Sequence, residues 1–166
     1  MGMFDDFAFQ TPHPKIVCSM GHSVKGFQTK DFECLLDRYL VKENQLYVSR
    51  FGAADDSEHS ESGEPLEPVS VTTTANIYTD CSQCPPVYTR QDGNELGKVW
   101  ITVHRPWCEF VLFFEKGILT EVISVEQETL EHLKQKCFKL GTDAYAKGKN
   151  YRVVELDDPE VQAYLK

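Results

Sequence analysis

The chain predicts an α+β protein, with mostly antiparallel strands, a zinc-ribbon-like lobe and one long C-terminal helix packed on a β-meander. Three observations carry this expectation. Between Val99 and Val125 three apolar, alternating stretches are separated by Arg105-Pro106 and by Glu115-Lys116-Gly117, the pattern of a meander. From Glu126 to Ala146, the residues Leu130, Leu133, Cys137, Leu140 and Ala144 recur at helical spacing. Cys81-Ser-Gln-Cys84 places two thiols on one tight turn, which is half of a tetrahedral zinc site.

At 166 residues the chain suits a single domain, 1–166. The lobe would cover about 1–90 and include an acidic loop at 53–68; the meander and helices would cover 97–166. Acidic residues outnumber basic ones by 26 to 17, a formal charge of −9, which argues against broad electrostatic binding to phosphates. The longest apolar run, around Phe110 to Phe114, is sized for a strand and not for a membrane span. The N-terminus has no cationic stretch followed by an apolar one, and Asp6 breaks the myristoylation pattern after Gly2. The expectation is a cytoplasmic protein, in which six cysteines serve as thiols or metal ligands before disulfides.

In chain order, residues 1–14 read as an extended leading segment anchored by Phe4, Phe7 and Phe9. Lys15-Ile16-Val17 leads into Cys18 as a short strand, and Val24 to Thr29 returns, leaving Cys18 and His22 at the tip. Residues 31–41 hold apolar positions at helical spacing, yet Tyr39-Leu40-Val41, a Lys-Glu-Asn turn and Leu46-Tyr47-Val48 favour a hairpin. Ala53 to Pro68 is acidic and poor in large apolar residues, so a mobile surface loop is expected there. The β-branched run from Val69 to Thr74 leads through Ile77 and Tyr78 to the Cys81 turn. Pro85-Pro86 then stops regular structure; Val87 to Gln91 forms a return arm ending in the turn Asp92-Gly93-Asn94. Ser124 is the candidate N-cap of the long helix, and Gly148 ends it. Tyr151 to Leu156 is a last strand, and Asp157 or Asp158 caps a terminal helix with Pro159 in its first turn.

The metal candidates are Cys18, His22, Cys81 and Cys84: three thiolates and an imidazole, a set that zinc accepts. A redox role for Cys81 and Cys84 would need a helix to start there, and two prolines follow instead. An empty turn is the other reading. Cys34 is an alternative fourth ligand, although an apolar run suits a buried thiol better. His104 and Cys108, around Arg105-Pro106-Trp107, form an imaginable thiol–imidazole pair with no third orienting group in view. Cys137 falls on the apolar helix face, while His13, His59 and His132 sit in polar settings. No calcium loop, phosphate-cradling glycine loop or nucleophile elbow is present, and no catalytic residue is assigned.

Several of these pieces occur together in a known group. Met3-Phe4-Asp5, Cys18, Phe27-Gln28-Thr29-Lys30, Cys34-Leu35-Leu36, Tyr39, and Tyr78 with Cys81 and Cys84 resemble a family of small phage and prophage proteins with zinc-ribbon-like turns. The resemblance covers roughly the first half of the chain. Such proteins carry Cys-x-x-Cys-Gly at the first turn; here Gly21 stands at the second cysteine position, and His22 follows one residue later. The resemblance implies a phage-linked protein and brings no catalytic residues.

The expected function is a non-enzymatic interaction protein that binds and modulates a host protein or assembly. One alternative is a nucleic-acid-associated zinc-ribbon protein using Lys25, Lys30, Arg38 and Lys42; another is a small thiol-dependent enzyme using His104 and Cys108.

Overall fold

Short alternating apolar runs dominate the chain, and most of them become strands. The computed structural model describes residues 4–32, 34, 37–49, 66–93 and 98–165. In order these form β1 (Asp5–Phe9), β2 (Gly26–Thr29), β3 (Arg38–Lys42), β4 (Gln45–Ser49), β5 (Glu67–Pro68), β6 (Thr73–Asp80) and β7 (Val87–Asp92). There follow β8 (Val99–His104), β9 (Trp107–Glu115), β10 (Ile118–Gln127), α1 (Leu130–Ala146), β11 (Tyr151–Val154) and α2 (Pro159–Leu165). Among the described residues no helix is long and apolar enough to cross a membrane.

The chain divides into two compact parts whose segments interleave. Met1–Thr79 and Trp107–Gln127 make the first; Asp80–Pro106 and Glu128–Lys166 make the second. In the first, the strand order is β10-β9-β6-β2-β1-β3-β4, and Ile118 opposite Gln45 pairs β10 with β4. That pairing closes a seven-stranded barrel, with β5 added outside on β4. Closure leaves no edge in the ring itself and turns one face of every strand inward. Phe7, Leu46, Ile77, Phe110, Leu112 and Phe114 fill the interior. Ring pairs knit it together: Phe7 with Phe114 at 6.3 Å and Phe27 with Phe110 at 5.8 Å.

Two features make this ring possible. The β3–β4 connection is Glu43-Asn44, with φ of 51° and 67°, the left-handed pair that a two-residue hairpin demands. Next, β1 pairs antiparallel with β2 and parallel with β3, so the chain must cross over after β2. The fully buried carboxylate of Asp5 holds that crossing: its two oxygens accept the Cys34 and Asp37 amides, each at 2.9 Å. Gly117 (φ +80°) in the β9–β10 turn is forced by contact as well, because a Cβ there would run into the Val69 carbonyl oxygen.

The second part is a three-stranded sheet, β11-β7-β8, with two helices. Its period-two alternation makes two small cores. Val87 and Val153 pack with Leu130, Leu133 and Cys137 of α1, while Tyr88, Val154, Ile101 and Val103 pack with Val161 of α2.

Several expectations need correcting. The hairpin of β9 and β10 stands, but β8 does not join it as a meander; β8 pairs with β7 over its whole length. The break at Arg105-Pro106 is where the chain passes from one sheet to the other, which a local pattern does not distinguish from a turn. The long helix therefore packs on β7 and β11, not on a meander, and Phe110, Leu112 and Phe114 face the barrel interior instead. Ser124 belongs to β10; the N-cap is Thr129, whose side-chain oxygen accepts the His132 amide at 3.1 Å. The leading segment contains a true strand, β1, with Phe7 and Phe9 buried. Most of the acidic stretch 53–68, His59 included, lies outside the described residues, and its end forms β5. Gly148 (φ +74°) follows the helix C-cap, and Asp158 Oδ1 accepts the Glu160 amide at the start of α2.

Candidate metal centre

The first half of the site is a loop between β1 and β2. Val17 bridges Ser23, the Cys18 amide donates to the His22 carbonyl at 3.0 Å, and Gly21 (φ +85°) donates back to the Cys18 carbonyl at 2.9 Å. This tight ring turns the amides of Met20 and His22 onto the Cys18 sulfur, both at 3.3 Å. Two N–H dipoles aimed at one sulfur stabilise the thiolate, the form that binds metal. His22 Nδ1 lies 3.4 Å from the same sulfur. Gln127 anchors the loop from β10, its Nε2 donating to the Val17 carbonyl at 2.6 Å.

The second half continues directly from β6. Cys81 follows the last residue of that strand, and its amide donates to the Pro106 carbonyl at 2.9 Å, just before β9 begins. The Cys84 amide closes the turn on the Cys81 carbonyl. Arg105 reaches over it: Nη1 donates to the Ser82 and Cys84 carbonyl oxygens, both at 3.1 Å. Pro85 and Pro86 then end the turn.

These two turns bring Cys18, His22, Cys81 and Cys84 together, with all four ligand atoms within 4.8 Å of one another. Ligands bound at ~2.3 Å in a tetrahedron stand about 3.8 Å apart, so small side-chain movements would close this cluster on one ion. All three thiols are buried and His22 is partly exposed. None of the six cysteines is in a disulfide. A soft, mostly sulfur donor set of four suits zinc.

The other candidates lie elsewhere. Cys34 donates its thiol to the Lys30 carbonyl at 3.2 Å and is not in the cluster. His104 pairs through Nε2 with Thr89 Oγ1 at 2.8 Å, while Cys108 is buried on β9 at 1 % exposure. Burial, then the Lys136 charge, pushes the His104 pKa down, and Asp80 and Glu128 oppose this. Burial pushes the Cys137 thiol up, helped by Glu128, so this core thiol stays protonated. His13 accepts the Lys15 amide on Nδ1, and His132 is exposed on α1. Sequence reasoning missed Arg105 and Gln127. Arg105, next to a proline at a strand break, gave a signal of irregular backbone; Gln127 gave none, being one polar residue at a strand end.

Fold and site together define a class: a closed seven-stranded β-barrel and a helix-flanked three-stranded sheet inserted into its chain, with a Cys3His cluster, its three thiols buried, supplied by two turns. No family model matches the chain, and neither a curated protein nor a solved structure does.

Proposed function

We propose that the cluster holds one structural zinc ion and that the chain is a non-enzymatic interaction protein. The observation that supports this reading is the ligand count: Cys18, His22, Cys81 and Cys84 supply four donors, three of them buried. A catalytic zinc keeps a position for water or substrate; four protein donors leave none. The two turns act as a zinc-ribbon-like pair of knuckles, and the ion ties the loop after β1 to the end of β6. Its gain is order, since a metal bound only by the folded arrangement adds its binding free energy to that arrangement. The resemblance to phage proteins directs the search for a partner to a host protein or assembly, which this chain would bind and modulate.

Metal analysis tests the first half of the proposal. Protein purified without chelator should contain about one zinc per chain, and Cys84→Ser should lose most of it. A zinc-free protein, or a Cys84→Ser variant with undiminished zinc, removes the ion. Affinity capture from host lysate tests the second half: one discrete protein at stoichiometric yield is expected, and recovery of nucleic acid alone overturns it.

A further inference from the structure

The β9–β10 hairpin turns one face into the barrel and one face outward. Along β9 the inward residues are buried, while Trp107, Glu109, Val111 and Phe113 alternate with them and stay partly exposed. The register carries this outer face onto β10. Ile123 lies opposite Val111, and Glu126 lies opposite Glu109. A bulge between Ser124 and Glu126 sets Val125 beside the same Glu109.

Two features of this face suit a partner. The first is apolar: Val111, Ile123 and Val125 adjoin one another, and the last two are 42 % and 51 % exposed. Single exposed apolar residues are ordinary, whereas contiguous ones with a polar rim mark interaction surfaces. The second is the opposed pair Glu109 and Glu126. Directly opposed side chains have Cβ atoms roughly 4.5–5.5 Å apart, and like charges there destabilise a sheet. Neither glutamate has a basic partner among the described residues. A cation between them would relieve that repulsion.

Charge selects the occupant, and the count holds beyond the face itself. From Trp107 to Glu128 there are five glutamates and one basic residue, Lys116 in the turn. The adjoining strands add no positive charge: β4 is uncharged, and the one charged residue of β6 is Asp80. A second copy of the chain would set glutamate against glutamate. Phosphate-bearing chains and anionic membranes would be repelled, and the chain's own stretch 53–68 is itself acidic. We propose that this outer face binds a basic segment of a partner protein, with an arginine or lysine between Glu109 and Glu126 and an apolar side chain on Val111 and Ile123. This inference rests on the reading of the chain as an interaction protein and not on the metal.

The test uses the full chain, labelled with nitrogen-15, and a capped peptide that alternates arginine with valine. Binding should shift the amide signals of Glu109, Val111, Ile123, Val125 and Glu126. The double substitution Glu109→Gln with Glu126→Gln should weaken binding about tenfold or more; it removes a repulsion, so the spectrum should otherwise persist. Ile123→Ser with Val125→Ser, both at exposed positions, should weaken it as well. The glutamate-for-arginine counterpart of the peptide should not bind. No shift on this face at about 1 mM peptide overturns the proposal. So do shifts confined to residues 53–68, or undiminished binding by the Glu109→Gln, Glu126→Gln variant. Affinity capture from host lysate with both proteins separates this inference from the broader reading. A discrete partner retained equally by the variant overturns the assigned face and leaves the interaction protein standing; a partner lost with the two carboxylates supports both.

Discussion

At the scale of single residues, the candidate metal cluster is braced by neighbours outside its ligand set. The Arg105 guanidinium holds the Ser82 and Cys84 carbonyl oxygens, and places a positive charge beside the turn that carries two of the three cysteines. Such supporting contacts commonly matter 10–100-fold for metal affinity. Arg105→Gln should therefore lower zinc affinity about 10–100-fold in competition with a chromophoric chelator; an unchanged affinity would make Arg105 a bystander. His104 offers a second test. Burial and then Lys136 lower its pKa below the ordinary 6.5, against the opposing pull of Asp80 and Glu128. The folded state thus favours the neutral ring, and its contribution is lost as pH falls through 6.5 toward the lowered value. A proton NMR titration should place the His104 midpoint below 6.5. A midpoint above it would mean that the two carboxylates outweigh burial.

At the scale of elements, period-two patterning decides which face of a strand is buried, and it was readable for β9. Cys108, Phe110, Leu112 and Phe114 are buried, while Val111 and Phe113 are only partly covered. Phe114→Ala should cost about 3–5 kcal/mol in a urea titration, since the ring is 2 % exposed against Phe7. A cost below about 1 kcal/mol would show that the barrel closes over the void. What patterning left open was the neighbour of each strand. Val99 to His104 alternates as expected, yet its partner is β7 and not β9. The helix was legible from Leu130, Leu133 and Cys137, and its start was misplaced because Ser124 and Thr129 are both competent caps. Tertiary pairing of β10 through Gln127 settled which one serves.

At the scale of the whole molecule, the proposed ion and the apolar core would order different things. The barrel has its own aromatic interior, so it should outlast the metal. Chelation should speed hydrogen exchange at Met20 and His22, whose amides point at the Cys18 sulfur, while amides of β9 and β10 remain protected. Loss of protection along β9 and β10 on chelation would mean instead that the ion holds the entire barrel.

The sequence by itself determined the local features. Each half of the candidate metal site is a turn of five residues or fewer, so its geometry is written in its own spacing: Cys18 to His22, and Cys81 to Cys84. The same holds for the β3–β4 hairpin, whose two-residue turn leaves little choice of register, and for the amphipathic stretch of α1. Only the tertiary structure decided that the strands close into a ring through Ile118 and Gln45, that β1 lies parallel to β3, and that a sheet with its own helices interrupts the barrel chain. Those outcomes rest on backbone pairing between distant segments. Alternation shows that a strand has an inner face, but every inner face looks alike to its possible partners. The choice among them comes from the joint packing of rings such as Phe7, Phe27, Phe110 and Phe114, and from a buried carboxylate such as Asp5, which finds its amides only once the chain has crossed.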